Sequence, residues 1–599
     1  MLGIMEKDNN LIKDGYYAEK VRENSRMIII CVLLAILITL ISYPGFFYTD
    51  SVSRVNFAKQ FGEILSDYFA GKPRETESWL TVIPQIFIFI SMKITGGIGL
   101  YTFTQAFLTY LTVALLFKKI NKTHYIIFTL ILFCCPFFFC NGVFYEAGVG
   151  SLIGIIWLFL FIRTFNKLKR KEDYAIWMIS IVFWSFIAFG YRANAMSVLP
   201  VILIIIAVTI KKIWKYIGMA LVVFGMMLTS IIPNQLHINT MSSGAAGIAW
   251  EIVMTVKNLP DDKQERYIDY LDEVGGDGAT KEAVESINNR NVCSLTVTRF
   301  DHISLSQPGM TKVILSKYLE LLKKEPRAWI KTKLYIIGAT LGITEPLDHV
   351  AWIYNQYDKM EDYNFNNSIV RYNFYQSYMD SVKVFGVCLK PYILYLLGLI
   401  LGIIGIVCDK VGKREIHIEE EIWLYIVAVF YYGAFCLDTQ AFELRYFYPA
   451  FILIIVSEIS VIFKLIDAIF KEKCYTLFDG HDKLKQTIAF ISKEQTIAAV
   501  LIMIFMLSMF LNVRANSNKV YVADYTDQNW KNGIAIDDTS ELLFYNTVSN
   551  YSKLQDVTKI YCGDKKFDIV KMYNDTKWIY VFVEGDGTAC AYPYPLTVK

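Results

Sequence analysis

The chain is 599 residues long, 54% apolar and 15% aromatic, with a formal net charge of +3. Long uncharged runs recur throughout, which no soluble domain carries, so the composition describes an all-α polytopic membrane protein. The near-balance of charge supplies no global basic field, which excludes nucleic acid as an expected partner and leaves the basic residues to be read by location.

Residues 1–26 are charged, and too long and too acidic for a secretory leader. No small-residue cleavage site follows the first apolar run, so the segment is expected to be a cytoplasmic N-terminus ahead of a retained anchor. That run, Met27 to Ile41, has no charge, and Pro44-Gly45 stops the helix and turns the chain. Asp50 then lies just beyond the hydrocarbon. A carboxylate beside a low-dielectric wall has its charged form disfavoured unless it is paired, the environment in which general bases are tuned. Asp50 is therefore the candidate catalytic base, and the plain alternative is a solvated loop residue or a helix N-cap.

Thirteen apolar runs follow one another: 27–43, 80–94, 99–117, 125–140, 149–162, 175–190, 195–210, 214–232, 329–343, 389–408, 421–437, 447–466 and 497–512. If all crossed, the basic cluster from Lys118 to Lys122 and that from Arg163 to Lys171 would lie outside, against the positive-inside rule. The run 80–94 is short for a span, holds Pro84 and Gln85, and is closed by Lys93 and Gly96-Gly97; it is expected to lie at the outer interface. The run 329–343 is demoted by the same reasoning, since a crossing there would expose Lys410, Lys413 and Arg414. About eleven transmembrane helices remain, seven in 27–232 and four in 389–512, and the major basic clusters become cytoplasmic.

This topology puts on the outside the first loop (44–99), a long loop (233–388) and the tail (513–599). In the long loop, Pro260-Asp261-Asp262 opens one amphipathic helix, and Thr311 to Glu325 places Ile314, Leu315, Tyr318, Leu319 and Leu322 on one face of another. Ser242 to Gly247 reads as a loop or a flexible helix start. The tail alternates, as in Lys577-Trp578-Ile579-Tyr580-Val581-Phe582-Val583, and is expected to be a small β-rich extracytoplasmic domain. Cys562 and Cys590 lie in it and could pair in an oxidising compartment. Most of the eleven cysteines sit in or beside apolar runs and act as small hydrophobes.

The short outer loops are unusually rich in polar side chains. Glu146 lies in one, Arg192 and Asn194 in the next, and Glu443, Arg445 and Tyr446 in a third. Tight loops hold their side chains against helix ends, so these groups can converge with Asp50 at the membrane surface. Two arginines and two carboxylates suit transfer from a lipid phosphate, because guanidinium forks bind phosphate oxygens while a carboxylate takes a proton. The bland reading of each arginine is an anchor reaching to lipid headgroups, and that of Glu146 is a helix-end acid. Paired carboxylates also suit a hard divalent cation, so a metal between Asp50 and Glu146 is left open. The six histidines form no ligand set by spacing. Trp79 and the other outer aromatics suit the interface belt, and some could stack on sugar rings.

Pro44-Gly45-x4-Asp50-Ser51, the interfacial segment opening near Trp79 to Pro84, Glu146, Arg192-x-Asn194-Ala195 and Arg445-Tyr446-x-Tyr448-Pro449 occur in an order and sidedness that resembles the GT-C class of membrane glycosyltransferases. The resemblance spans most of residues 27–466. It implies transfer of a sugar from a polyprenyl-phosphate carrier to a cell-envelope glycan or glycopolymer, in a multi-pass protein of the cell membrane. It further implies Asp50 as base, Glu146 as second acid, and phosphate contacts at Arg192 and Arg445. Related bacterial proteins often carry a His-Pro pair after the tryptophan; here Leu80-Thr81-Val82-Ile83-Pro84 follows Trp79, so no role passes to a histidine. A polysaccharide polymerase or ligase would use a similar cavity, and a lipid-linked sugar flippase is the rival of another class. Charges at the outer edge with nearly uncharged helix interiors favour the enzyme.

The topology is testable by single-cysteine labelling of intact cells. Probes at positions 146, 192 and 445 should react from outside and probes at 119 and 169 should not; outside labelling at 169 would overturn the scheme.

Overall fold

The structure, a computed structural model, describes residues 25, 27–43, 45–46, 49–78, 80–121, 138, 142, 147–240, 243–275, 310–344, 390–411, 416–437 and 444–477, together with strand residues 520–521, 541–547, 559–562, 565–574, 578–584 and 595–598. The first apolar run forms α1 (Met27–Ser42). The chain turns at Gly45, whose φ of 138° is open to glycine and strained for other residues, and enters α2 (Thr49–Phe69). After β1 (Thr76–Ser78) come α3 (Val82–Thr95), α4 (Gly99–Ile120), α5 (Ala147–Thr164) and α6 (Lys171–Tyr191). A 3-10 helix, Ala193–Val198, leads into α7 (Leu199–Thr209), followed by α8 (Trp214–Gln235) and β2 (Ile238–Thr240). The long loop supplies α9 (Ser243–Lys257), α10 (Asp261–Gly275), α11 (Met310–Lys324) and α12 (Pro326–Thr340). Then come α13 (Pro391–Val411), α14 (Glu419–Leu437) and α15 (Leu444–Leu477).

Among the described residues, seven helices are long and apolar enough to cross a membrane: α4, the stretch Gly148–Lys167, α6, α8, Pro391–Cys408 of α13, α14, and Leu444–Ile466 of α15. This makes the chain a multi-pass membrane protein. Of the other four expected spans, 27–43 and 195–210 are helices of shorter length. The segment 497–512, and 125–140 apart from Phe138, fall outside the described residues. The 195–210 run opens inside the six-residue 3-10 helix Ala193–Val198, which is followed by 11 residues of α-helix. A 3-10 turn rises about 2.0 Å per residue against 1.5 Å, so this segment reaches deeper than its length suggests.

The helices approach closely where glycines permit it. A Cβ on Gly154 would stand 2.4 Å from the Ala188 backbone nitrogen, and one on Gly150 would overlap the Tyr191 ring, so α5 and α6 cross backbone to backbone. Gly225 does the same for α8 against the Val182 carbonyl of α6, at 2.5 Å. One apolar core joins residues of α1 and α4 through α15.

At one end of the bundle an ionic belt ties four helices. The three glutamates that open α14 lie where the helix dipole favours acids. Glu420 pairs with Lys119 of α4 at 3.3 Å and Arg163 of α5 at 2.8 Å, Glu419 takes Arg163 at 2.9 Å, and buried Glu421 takes Lys464 of α15 at 2.5 Å. Ser460 donates a further hydrogen bond to Glu421 at 2.6 Å. Three residues from the basic segments expected on the cytoplasmic side thus meet at one end.

The first outer region departs from expectation. It is not loop and interfacial run alone: α2 packs on α3, burying Val52, Val55 and Ala58 with Ile88, and so Asp50 stands inside a helix rather than in a loop. The strand β1 pairs in parallel with β2, Thr76 opposite Ile238, and Glu75 accepts hydrogen bonds from His237 and Asn239. This joins the first outer region to the start of the long loop. Of the two readings of 242–247, a loop or a helix start, the structure has the second: helix α9 begins at Ser243.

Beyond α15, β3 (Val520–Tyr521), β4 (Glu541–Thr547), β5 (Lys559–Cys562), β6 (Lys565–Asn574), β7 (Trp578–Glu584) and β8 (Pro595–Val598) form a closed antiparallel barrel in the order β3-β4-β7-β6-β5-β8. The alternating run at 577–583 is its strand β7. The expected Cys562–Cys590 pairing falls outside the described side chains.

Gly154→Ala should lower stability by about 1–3 kcal/mol, because the added methyl meets backbone that cannot yield. Gly402→Ala, which faces open space, should be close to neutral. Melting of the two purified variants in matched detergent checks the contrast, and equal melting temperatures would remove the close crossing.

Candidate functional site

Two arginines meet over one aromatic ring at the end of the bundle opposite the ionic belt. Arg192 ends α6 in extended geometry, with φ −148° and ψ 128°. Its carbonyl accepts from the Ala195 N–H at 3.1 Å as the 3-10 helix begins. The break turns the guanidinium toward α14 and α15. Its carbon lies 4.3 Å from the Tyr446 ring centre and 5.5 Å from that of Phe435. Arg445, in the first turn of α15, lies 5.0 Å over the same Tyr446 ring, and its guanidinium donates to the Tyr446 hydroxyl at 3.3 Å. Phe435 stacks on Tyr446 with centroids 5.0 Å apart and planes 10° apart.

Each cation–π contact is worth about 0.5–2 kcal/mol, rising with desolvation. Stacking engages the flat face of the guanidinium, whereas its N–H donors lie in the plane. The ring thus holds the two guanidinium carbons at 4.3 Å and 5.0 Å from its centre. The N-termini of α5 and α15 come to the same end: a Cβ on Gly148 would lie 3.3 Å from Pro449 and 3.8 Å from the Arg445 carbonyl. Two helix starts and two arginines raise the local positive potential, the condition for holding a phosphate.

The neighbouring surface comes from α2, α3 and α4. Thr81 donates to the Tyr191 carbonyl at 2.7 Å, and Phe87 stacks on the Tyr191 ring at 6.1 Å. Arg54 of α2 is buried, with its charge felt at the Tyr191 hydroxyl, which also shares a hydrogen bond with Tyr101.

Of the residues expected to converge, Arg192, Arg445 and Tyr446 come together. Asn194 lies partly buried in the 3-10 helix, where its carbonyl accepts from Ser197 at 2.8 Å. Asp50 is the second residue of α2, four positions before Arg54, and its side chain is outside the described set. Trp79, Glu146 and Glu443 also fall outside the described residues. Among the described residues no cluster of His, Cys, Asp and Glu is placed to hold a metal, and Asp50 and Glu146, the pair considered for a divalent cation, are not among the described side chains. Phe435 and Arg54 were not foreseen. Phe435 sits inside an apolar run, and Arg54 in a stretch of low hydropathy; nothing in their immediate sequence sets them apart.

No protein-family model matches the chain, and no curated protein matches it. Among solved structures, the chain is similar to ArnT from Cupriavidus metallidurans bound to undecaprenyl phosphate, at 11% identity over 93% of this chain and 97% of that one, with a TM-score of 0.28. It is also similar to the apo state of the same protein, at 10% identity over 93% and 98%, with a TM-score of 0.25. Likeness at this level transfers no residue and no activity to the present chain.

For a phosphate ligand at this site, Tyr446→Leu should weaken binding by about three- to thirtyfold, since both arginines lose the ring that holds them. Tyr446→Phe should keep most of the affinity. Thermophoresis with the protein in nanodiscs measures both, and an unchanged Leu variant would reduce the stack to packing.

Proposed function

We propose that the protein is an integral membrane glycosyltransferase that moves a sugar from a polyprenyl-phosphate donor to an extracytoplasmic glycan or glycopolymer acceptor. The observation that carries this reading is the pair Arg192 and Arg445 on the Tyr446 ring, beside two helix N-termini and at the end of the bundle away from the cytoplasm-type basic clusters. In this reading the N-terminus is cytoplasmic and the 513–599 tail lies outside the cell membrane.

The chemistry is inverting transfer. Asp50 takes the proton of the acceptor hydroxyl, and the acceptor oxygen forms the new bond to the anomeric carbon. The bond from that carbon to the phosphate oxygen breaks, and the electron pair leaves on the lipid phosphate. Arg192 and Arg445 hold that phosphate and stabilise the charge it gains, while Asn194, Tyr446 and Trp79 contact the sugar or its phosphate. Glu146 is the second acid at the site. A positioned base contributes roughly 10²–10⁴ in rate.

A second reading, a flippase for lipid-linked sugars, has one observation in its favour. Glu458 is buried within α15, and Gly398 of α13 leaves the space beside it and the Tyr425 ring. A carboxyl inside a span is a common mark of transport paths. The enzyme reading is preferred because the paired arginines are at the membrane edge, where the phosphate of a lipid carrier would stay while its sugar is transferred.

Purified protein given a panel of polyprenyl-phosphate sugars and acceptor glycans should release polyprenyl phosphate, whereas a flippase would release none. Asp50→Asn should lower single-turnover release by about 10² or more while leaving donor affinity near normal. Turnover retained within a few-fold at matched amounts of folded protein would remove Asp50 from the mechanism.

A further inference from the structure

The aromatic stack under the two arginines is held from outside the bundle, by the long loop. The α14 helix ends at Leu437, two residues after Phe435, and the last carbonyls of a helix have no partner within it. Lys333 of α12 donates its ammonium to the Leu437 carbonyl, a position where the helix dipole favours a cation. One turn earlier, the Tyr432 hydroxyl donates to the Thr340 carbonyl, the last residue of α12, at 2.8 Å. Helix α12 therefore grips α14 on both sides of Phe435.

Lys333 is fixed in its turn. Its side chain is only 13% exposed, and it pairs with Glu251 of α9, whose side chain is 3% exposed. The other Glu251 oxygen accepts from the Tyr318 hydroxyl of α11 at 2.5 Å, and that hydroxyl accepts from the Trp329 ring nitrogen at 2.8 Å. Three helices of the long loop thus brace one ammonium. Burial pushes the Glu251 carboxyl above its usual range, while the bonds from Lys333 and Tyr318 oppose that. A surface lysine would wander among rotamers; this one has a single seat.

We propose that Lys333 is a positioning residue for the lipid-phosphate site: by capping α14 at Leu437 it sets the Phe435–Tyr446 stack, and through it the positions of the Arg192 and Arg445 guanidinium groups. The inference rests on the glycosyltransferase reading above and adds to it a device in the long loop that tunes donor affinity without touching the donor.

The test measures binding of farnesyl phosphate to the full chain in nanodiscs, together with KM and kcat for donor turnover, in wild type, Lys333→Met, Lys333→Arg and, as a control, Arg445→Ala. Lys333→Met should weaken farnesyl phosphate binding and raise the donor KM by about tenfold, with kcat within about threefold. Lys333→Arg, which keeps a cation in reach of the carbonyl, should restore most of the affinity. If Lys333→Met does not fold, the double variant Glu251→Gln, Lys333→Met removes both buried charges together and should show the same loss. Wild-type affinity in Lys333→Met or, where that variant does not fold, in the double variant would overturn the proposal, as would a fall in kcat alone. A Met variant near wild type beside a weakened Arg445→Ala overturns only the role of Lys333; no effect in Arg445→Ala either would overturn the phosphate site itself.

Discussion

Three consecutive glutamates open α14, and the two turned into the bundle, Glu420 and Glu421, must be neutralised before that helix can lie there. The neutralising cations come from three other helices: Lys119 from α4, Arg163 from α5 and Lys464 from α15. Removing one partner would leave a buried charge uncompensated, which typically costs more than the pair gains in place. The belt therefore fixes both the depth and the rotation of α14. With 19 residues rising about 1.5 Å each, the helix spans close to the hydrocarbon thickness of about 30 Å, so what is fixed at one membrane surface determines what is presented at the other.

At the far surface α14 presents Phe435 and ends. The ring meets Tyr446 because α15 starts there, with Pro449 lodged against Gly148 of α5. Gly150 leaves room for the Tyr191 ring, and Arg192 follows directly as α6 ends. The site is thus assembled from helix ends rather than from loops. Its geometry follows from the close crossing of α5 on α6 and the axial placement of α14, and the connecting segments need only be short.

The gathering of the basic segments at one end and the meeting of Arg192, Arg445 and Tyr446 were legible in the sequence, because charge in tight loops between apolar runs has few places to go. What escaped reading did so for physical reasons. Helix α2 alternates Val52, Val55 and Ala58 with Arg54, Asn56 and Lys59, so its mean hydropathy is low although one face is buried. Phe435 is one aromatic among many in an apolar run, and only the partner ring gives it a role. The pairing of β1 with β2, and of Lys333 with Glu251 82 residues away, joins segments whose local sequence carries no mark of it. Helix α15 runs 34 residues, past the apolar run that ends at 466, because Lys471, Glu472 and Lys473 are good helix formers although they are not apolar.

The two kinds of cation at this surface divide the task according to their chemistry. Arginine has a planar, weakly hydrated head that stacks on a ring, and a ring carries no net charge, so stacking by itself orients a guanidinium without neutralising it. A phosphate site needs that combination of fixed direction and retained charge. Lysine has a compact head that can serve a carbonyl and a carboxylate at once, which suits the end of a helix. The two places differ in what an exchange would cost: an ammonium over Tyr446 would lose the planar fork, whereas at Leu437 either cation keeps its charge in reach of the carbonyl. Arg192 and Arg445 at the ring are therefore matched to their surroundings by geometry as well as by sign, and Lys333 at the helix end by sign.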